Sequence, residues 1–192
     1  MNPPPMNRRE AIVKMALLMG GTMVGPRLLH GAWDADAPAP SAGDDKIALL
    51  DEIGETIIPV TDVPGAKATH IGAFIAMMVR ECYEQADQMA VAEGLIQLEK
   101  SYRAQHGHAF VGAPADERTA FLNDHDRAQR AYTAKKKKDE PAHFFRVVKE
   151  LTILGYFTSE IGATQALRFA EVPGSFNGSA PYKKGEHAWA TT

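Results

Sequence analysis

The chain has 192 residues, 45% of them apolar, enough for one domain of common size once an N-terminal export segment is set aside. A net charge of −3 excludes the broad cationic field that nucleic-acid binding needs. Cys82 is the only cysteine, which excludes an internal disulfide and leaves stability to packing.

Residues 1–33 read as a twin-arginine signal segment. Arg8 and Arg9 follow Asn7 and precede Ile12, Val13 and Lys14, and the apolar middle is diluted by Gly20, Gly21, Thr22 and Gly25. The uncharged stretch between Lys14 and Arg27 falls short of the roughly 20 residues a bilayer-spanning helix needs. Ala35-Asp36-Ala37 has the small residues of a cleavage site, but Pro38 follows it, so removal and retention of the signal both stay open. Residues 34–43, rich in Ala, Pro, Ser and Asp, read as a linker to a helical domain over 44–192.

Helical spacing starts after Asp44 and Asp45, the candidate N-caps, with Ile47, Leu50, Ile53 and Ile57 recurring every third or fourth residue. Pro59 stops this helix, and Thr61-Asp62-Val63-Pro64-Gly65 is a turn-rich loop. A second helix is expected over about 70–84, with Ile71, Phe74, Ile75, Met78, Val79 and Cys82 on its apolar face, so that Cys82 is a buried structural thiol. A third is expected over about 87–104, packing Ala90, Leu95, Leu98 and Tyr102. Pro114 and Asp116 open a short fourth helix that packs Phe121 and Leu122. Lys135, Lys136, Lys137 and Lys138 read as a solvated loop or helix end, with contact to an anionic lipid or acidic partner as the functional alternative. The fifth helix follows Pro141, with Phe144, Phe145, Val148, Leu151, Leu154 and Ile161 at core spacing; Gly155 and Gly162 suggest close approach of another backbone. No segment alternates as a strand does, so the expected fold is all-α: a small irregular helical domain with an extended Pro/Gly-rich tail over 170–192.

Chemistry is sparse. There is no Gly-x-Gly-x-x-Gly turn after a strand for a dinucleotide, and one cysteine cannot form a Cys-x-x-Cys-His haem attachment. Glu140-Pro141-Ala142-His143 carries the di-iron spacing only once. His106-Gly107-His108 and Asp124-His125-Asp126 lack the paired ligands of a zinc site. Catalytic, cofactor and metal residues of this chain's own are therefore not assigned. Weight shifts to surfaces: Phe169, Phe176, Tyr182 and Trp189 punctuate a tail too irregular to bury them on one face, and such aromatics need a groove on this domain or on another chain.

Over 144–168 the run Phe144-Phe145-Arg146-Val147-Val148-Lys149-Glu150-Leu151-Thr152, then Leu154-Gly155-Tyr156-Phe157-Thr158-Ser159-Glu160-Ile161-Gly162-Ala163-Thr164-Gln165-Ala166-Leu167-Arg168, resembles the small, or gamma, subunit of gluconate 2-dehydrogenase and related flavin-dependent sugar dehydrogenases. Val172-Pro173-Gly174, Pro181-Tyr182-Lys183-Lys184-Gly185 and Ala188-Trp189 extend the match, as do 50–59, Asp62, Pro64 and 65–68 upstream. The resemblance implies an accessory subunit without a catalytic site. Its partner would be a large flavoprotein of the glucose-methanol-choline type that holds FAD, often joined by a multihaem cytochrome c subunit. It also implies export of the folded complex by the twin-arginine translocase, and a periplasmic location, membrane-associated through the complex. The family's tail often has a cysteine before the proline and tyrosine, where this chain reads Ser179-Ala180-Pro181-Tyr182, which puts a covalent link there in doubt. Motif and tail together give the expected partner-binding set: Tyr156, Phe157, Glu160, Gln165, Arg168, Phe176, Tyr182 and Trp189. Two other readings stay open at this level: a self-sufficient exported enzyme using His106, His108 and Glu160, and a free-standing ligand-binding domain.

Overall fold

The computed structural model of the chain describes residues 43–172, 174, 178, 179, 181 and 183–190. By its internal contacts the chain divides into Met1–Ala39 and Pro40–Thr192, and every described residue lies in the second unit. The signal segment with Arg8 and Arg9, and the tail residues Phe176 and Tyr182, lie outside the described residues.

Among the described residues five α-helices follow one another: α1 (Asp44–Ile57), α2 (Ile71–Cys82), α3 (Gln85–His106), α4 (Ala115–Lys135) and α5 (Phe144–Thr158). A 3₁₀ turn (Ala66–Thr69) precedes α2 and a π turn (Gly162–Ala166) follows α5. The described residues contain no strand, so the all-α expectation holds. No described helix is long and apolar enough to cross a membrane.

The hub is α5, which packs against each of the other four helices. Its inward stripe of Phe145, Val148, Leu151, Thr152, Gly155 and Tyr156 is buried against Leu50 and Ile53 of α1, Ile71 and Ile75 of α2, and Leu95 and Leu98 of α3. Thr152 tolerates full burial because its hydroxyl donates to the Val148 carbonyl one turn back (2.8 Å). Gly155 receives the ends of Phe74 and Ile71, and Gly94 of α3 receives the Phe144 ring. The close approach expected at the glycines is thus made at Gly155 by side chains, and at Gly162 by the chain's own Tyr156 carbonyl.

Several local expectations are corrected. Helix α1 starts at Asp44 with Gly43 in the cap position, so neither Asp44 nor Asp45 caps it. Cys82 is exposed: it continues the 71-75-79 spacing but is the last residue of α2, where the chain turns out into Tyr83. Leu154 is 47% exposed, since the buried stripe of α5 passes through its neighbour Gly155, and Ile161 falls beyond the helix end. That end is set by Ser159, whose backbone is extended and whose hydroxyl donates to Tyr156 O (2.6 Å) and accepts from Gly162 N (3.0 Å).

The fourth helix is not short. It runs for 21 residues yet buries only Phe121, Leu122 and Gln129. Polar anchors replace the missing apolar stripe. Arg118 reaches the buried Glu52 of α1, and Asp126 accepts from Lys149 of α5 (2.6 Å) and pairs with Arg130 (2.7 Å). A helix held by ions has little hydrophobic periodicity to read. Beyond it Lys136 Nζ donates to the carbonyls of Lys137 (3.0 Å) and Glu140 (2.6 Å), while Glu140 accepts from Lys137 N (3.0 Å). The lysine run therefore closes its own turn.

Between α4 and α5, His125 and His143 insert into an aromatic row, with ring centroids 4.9 Å apart for Phe121–His125, 5.6 Å for His125–Phe144 and 5.0 Å for His143–Phe144. Desolvation holds both imidazoles below the ordinary histidine range, and the charge of His143 adds to this for His125. The sign follows. A base whose folded pKa is depressed contributes stability that is complete above the unfolded value, about 6.5, and is lost as pH falls through the folded one. The urea midpoint of the full chain is expected to drop between pH 7.5 and 5. His125→Leu should flatten that slope, and an unchanged slope would refute the assignment.

Candidate partner interface

A row of carboxylates on α1 fixes the loop that follows it. Asp51 Oδ1 accepts from Gly72 N in the first turn of α2 (2.7 Å), Glu52 pairs with Lys67 and Arg118, and Glu55 accepts from Val60 N (3.0 Å) and Lys67 N (2.9 Å). Residues 51, 52 and 55 share one helical face, so one helix grips the 58–70 loop at several points. Burial pushes the Asp51 carboxyl upward, with the Gly72 N–H opposing the shift. His70, at φ +53, turns the chain into α2.

Tyr156 stands under this loop. Its ring is buried and its hydroxyl donates to the Pro64 carbonyl (2.8 Å), and burial raises its pKa. It offers no surface to a partner. It fastens the loop and supports Phe157, whose ring meets it edge-on at 5.2 Å and is 39% exposed. Ile153 and Leu154 extend Phe157 into an exposed apolar strip on the outer face of α5.

After the π turn the tail returns to the body as a strap. Arg168 N donates to Ala188 O (2.7 Å) and Ala190 N to Arg168 O (3.0 Å), a single parallel bridge between Arg168 and Trp189. The Arg168 guanidinium lies 4.8 Å from the centre of the Trp189 ring and 3.8 Å from Glu186. Trp189 remains 50% exposed, and Phe169 and Val172 are exposed beside the strap in sequence. Thr164, Leu167, Arg168, Phe169, Glu186 and His187 line a groove of about 470 Å³. His187 is within electrostatic reach of Asp62, whose carboxyl is held below its usual range first by the Thr61 hydroxyl (2.9 Å) and also by that histidine.

Of the expected set, Arg168 and Trp189 are brought into contact, Tyr156 and Phe157 meet edge-on at the helix end, and Glu160 and Gln165 are exposed around the π turn. Glu55, Glu186 and His187 were not singled out from sequence. Their partners lie across turns that spacing alone does not fold.

A second polar cluster lies elsewhere. Tyr102 Oη (3.2 Å), His106 Nδ1 (3.3 Å) and His108 Nε2 (3.3 Å) converge on Glu117 Oε2, beside a groove of about 650 Å³ whose arginines are already matched: Arg127 with Asp124 and Arg130 with Asp126. Glu160, after α5, is not part of it. Among the described residues no group of three His, Cys, Asp or Glu side chains could hold a metal ion.

The described residues thus form a small helical domain with a clamped loop after α1 and a tail strap held at Arg168. Residues 44–174 match the family described as gluconate 2-dehydrogenase subunit 3, and the chain belongs to that family. Membership makes a dehydrogenase complex its setting. No curated protein and no solved structure matches the chain.

Proposed function

We propose that this chain is the non-catalytic small subunit of a periplasmic, flavin-dependent dehydrogenase of sugars or sugar acids. FAD resides in a glucose-methanol-choline type flavoprotein partner, and a cytochrome c subunit with several haems takes the electrons onward. The chain folds with the flavoprotein, carries it through the twin-arginine translocase on the signal at Arg8 and Arg9, and stays bound to it, membrane-associated through the complex.

The observation that carries this reading is the family match over 44–174. The exposed rings of Phe157 and Trp189, the latter beside the Arg168 guanidinium, support it, because exposed aromatics and arginines are the side chains that anchor protein interfaces. In a strain making both subunits, changing Arg8 and Arg9 together to Lys should reduce periplasmic sugar oxidation, assayed with an artificial electron acceptor, to background. The flavoprotein should then be retained in the cytoplasm. Normal periplasmic activity in that strain would refute the carrier role.

A further inference from the structure

We propose that the lysine turn at the end of α4 is a contact site for an anionic phospholipid surface, offering the ammonium groups of Lys135, Lys137 and Lys138 to lipid phosphates while Lys136 holds the turn in shape. The proposal does not depend on the flavoprotein reading. It goes beyond it, giving this chain a membrane contact of its own where that reading places the association in the complex.

Charge pairing separates this turn from the rest of the body. Every described arginine faces a carboxylate, from Arg80 with Glu81 to Arg168 with Glu186, and so do Lys67 and Lys149. Lys135, Lys137 and Lys138 are exposed and pair with no described carboxylate. Four lysines against Asp139 and Glu140 leave the turn cationic in a chain whose net charge is −3, and the Glu140 carboxylate is engaged on the Lys137 amide (3.0 Å). The turn is also held in place. Lys136 N donates to Tyr132 O (2.8 Å), Lys136 Nζ to the carbonyls of Lys137 (3.0 Å) and Glu140 (2.6 Å), the Tyr132 hydroxyl to Pro141 O (3.0 Å), and Ala142 N to Asp87 Oδ1 of α3 (2.8 Å). A lysine at a helix C-terminus complements the dipole, which accounts for Lys135 and Lys136. Lys137 and Lys138 lie beyond the helix, and no described residue uses their charge.

Charge complementarity selects an anionic occupant, and the residue type selects lipid over protein. Lysine is depleted at protein interfaces, where arginine and aromatic rings anchor the partner. Tyr132, the aromatic residue nearest in sequence, already has its hydroxyl bound to Pro141 O. An ammonium group is a compact, strongly hydrated charge without the planar fork that fits one carboxylate in one geometry. Three of them on one turn suit a sheet of phosphates, where each contributes through the surface potential rather than through shape. The contact is therefore reversible and salt-sensitive, since the lysines stay at the headgroups and bury no apolar surface.

The test is co-sedimentation of the full chain at low salt with vesicles of phosphatidylcholine alone and of an equimolar mixture with phosphatidylglycerol. Arg8, Arg9 and Lys14 of the signal segment are themselves basic and are changed to Gln in every arm, the reference chain included. Against that reference, Lys135→Gln, Lys137→Gln and Lys138→Gln together are expected to weaken binding to the anionic vesicles by about tenfold or more, with the melting temperature unchanged. The same three positions changed to Arg should keep the reference affinity. Lys46→Gln, Lys100→Gln and Lys184→Gln remove equal charge from exposed positions on α1, α3 and the tail, and should stay within about threefold. Reference binding by the first triple variant overturns the proposal. Equal loss in the scattered variant does so too, because net charge and not the turn would then be the attraction. A reference chain that binds phosphatidylcholine as well as the anionic mixture also overturns it, as does release from the vesicles by millimolar inorganic phosphate at constant ionic strength, the mark of a discrete phosphate site. If the first triple variant keeps the vesicles but releases an acidic protein that the reference chain binds, the turn is a protein contact and the lipid assignment falls.

Discussion

Replacing Glu52 with Gln is expected to lower the unfolding free energy of the full chain by about 3 kcal/mol, the lower end of what breaking a buried ion pair costs. Glu52 is buried on α1 and compensates Arg118 of α4, whose side chain is only 12% exposed. Arg118 Nε is buried with no acceptor, and desolvation already lowers the guanidinium pKa. Removing the carboxylate charge strands that cation. Lys67, the third member, is about half exposed and adds little, because solvent screens it. Urea unfolding measures the loss, and the double variant Glu52→Met with Arg118→Met should recover most of it, since apolar groups of similar volume replace such pairs without penalty. A Glu52→Gln chain as stable as wild type would show that the pair contributes nothing. The effect extends to the interface, because Glu52 also holds Lys67, whose amide is one of the two that Glu55 fixes.

Gly72→Ala is expected to destabilise the chain by about 2 kcal/mol even though alanine favours a helix interior by about 1 kcal/mol. A Cβ at this position would stand 2.3 Å from the Ile47 carbonyl oxygen and 2.9 Å from Asp51 Oδ1. The first is backbone of α1 and cannot swing aside. The second is the carboxylate that satisfies the Gly72 amide, so the methyl group would part α1 from α2 and break the cap between them. Gly155→Ala should cost less, because the atoms it meets, Phe74 Cδ1 and Ile71 Cδ1, are the ends of side chains that can rotate. Equal melting temperatures for the two variants would contradict this ranking.

The legible parts of the fold were those encoded by apolar spacing. Helices α1, α2, α3 and α5 could be read because Leu50, Ile53, Ile75, Val79, Leu95, Leu98, Val148 and Leu151 recur at the helical period and are buried. The length of α4 could not, since Arg118 and Asp126 hold it through partners far along the chain. Cys82 and Leu154 show the complementary failure. Spacing places a residue on a helix face, but whether that face is covered there depends on where the neighbouring helix ends.

At the candidate interface the division is similar. The sequence by itself determined the helical class and the family motif, because composition, motif and local periodicity are properties of the chain alone. Tertiary structure decided that Tyr156 points inward to fasten a loop, that Trp189 returns to lie beside Arg168, and that Glu55 holds the Val60 and Lys67 amides of that loop. Those outcomes depend on hydrogen bonds closed across turns, and only the folded chain brings their two ends within 3 Å or so.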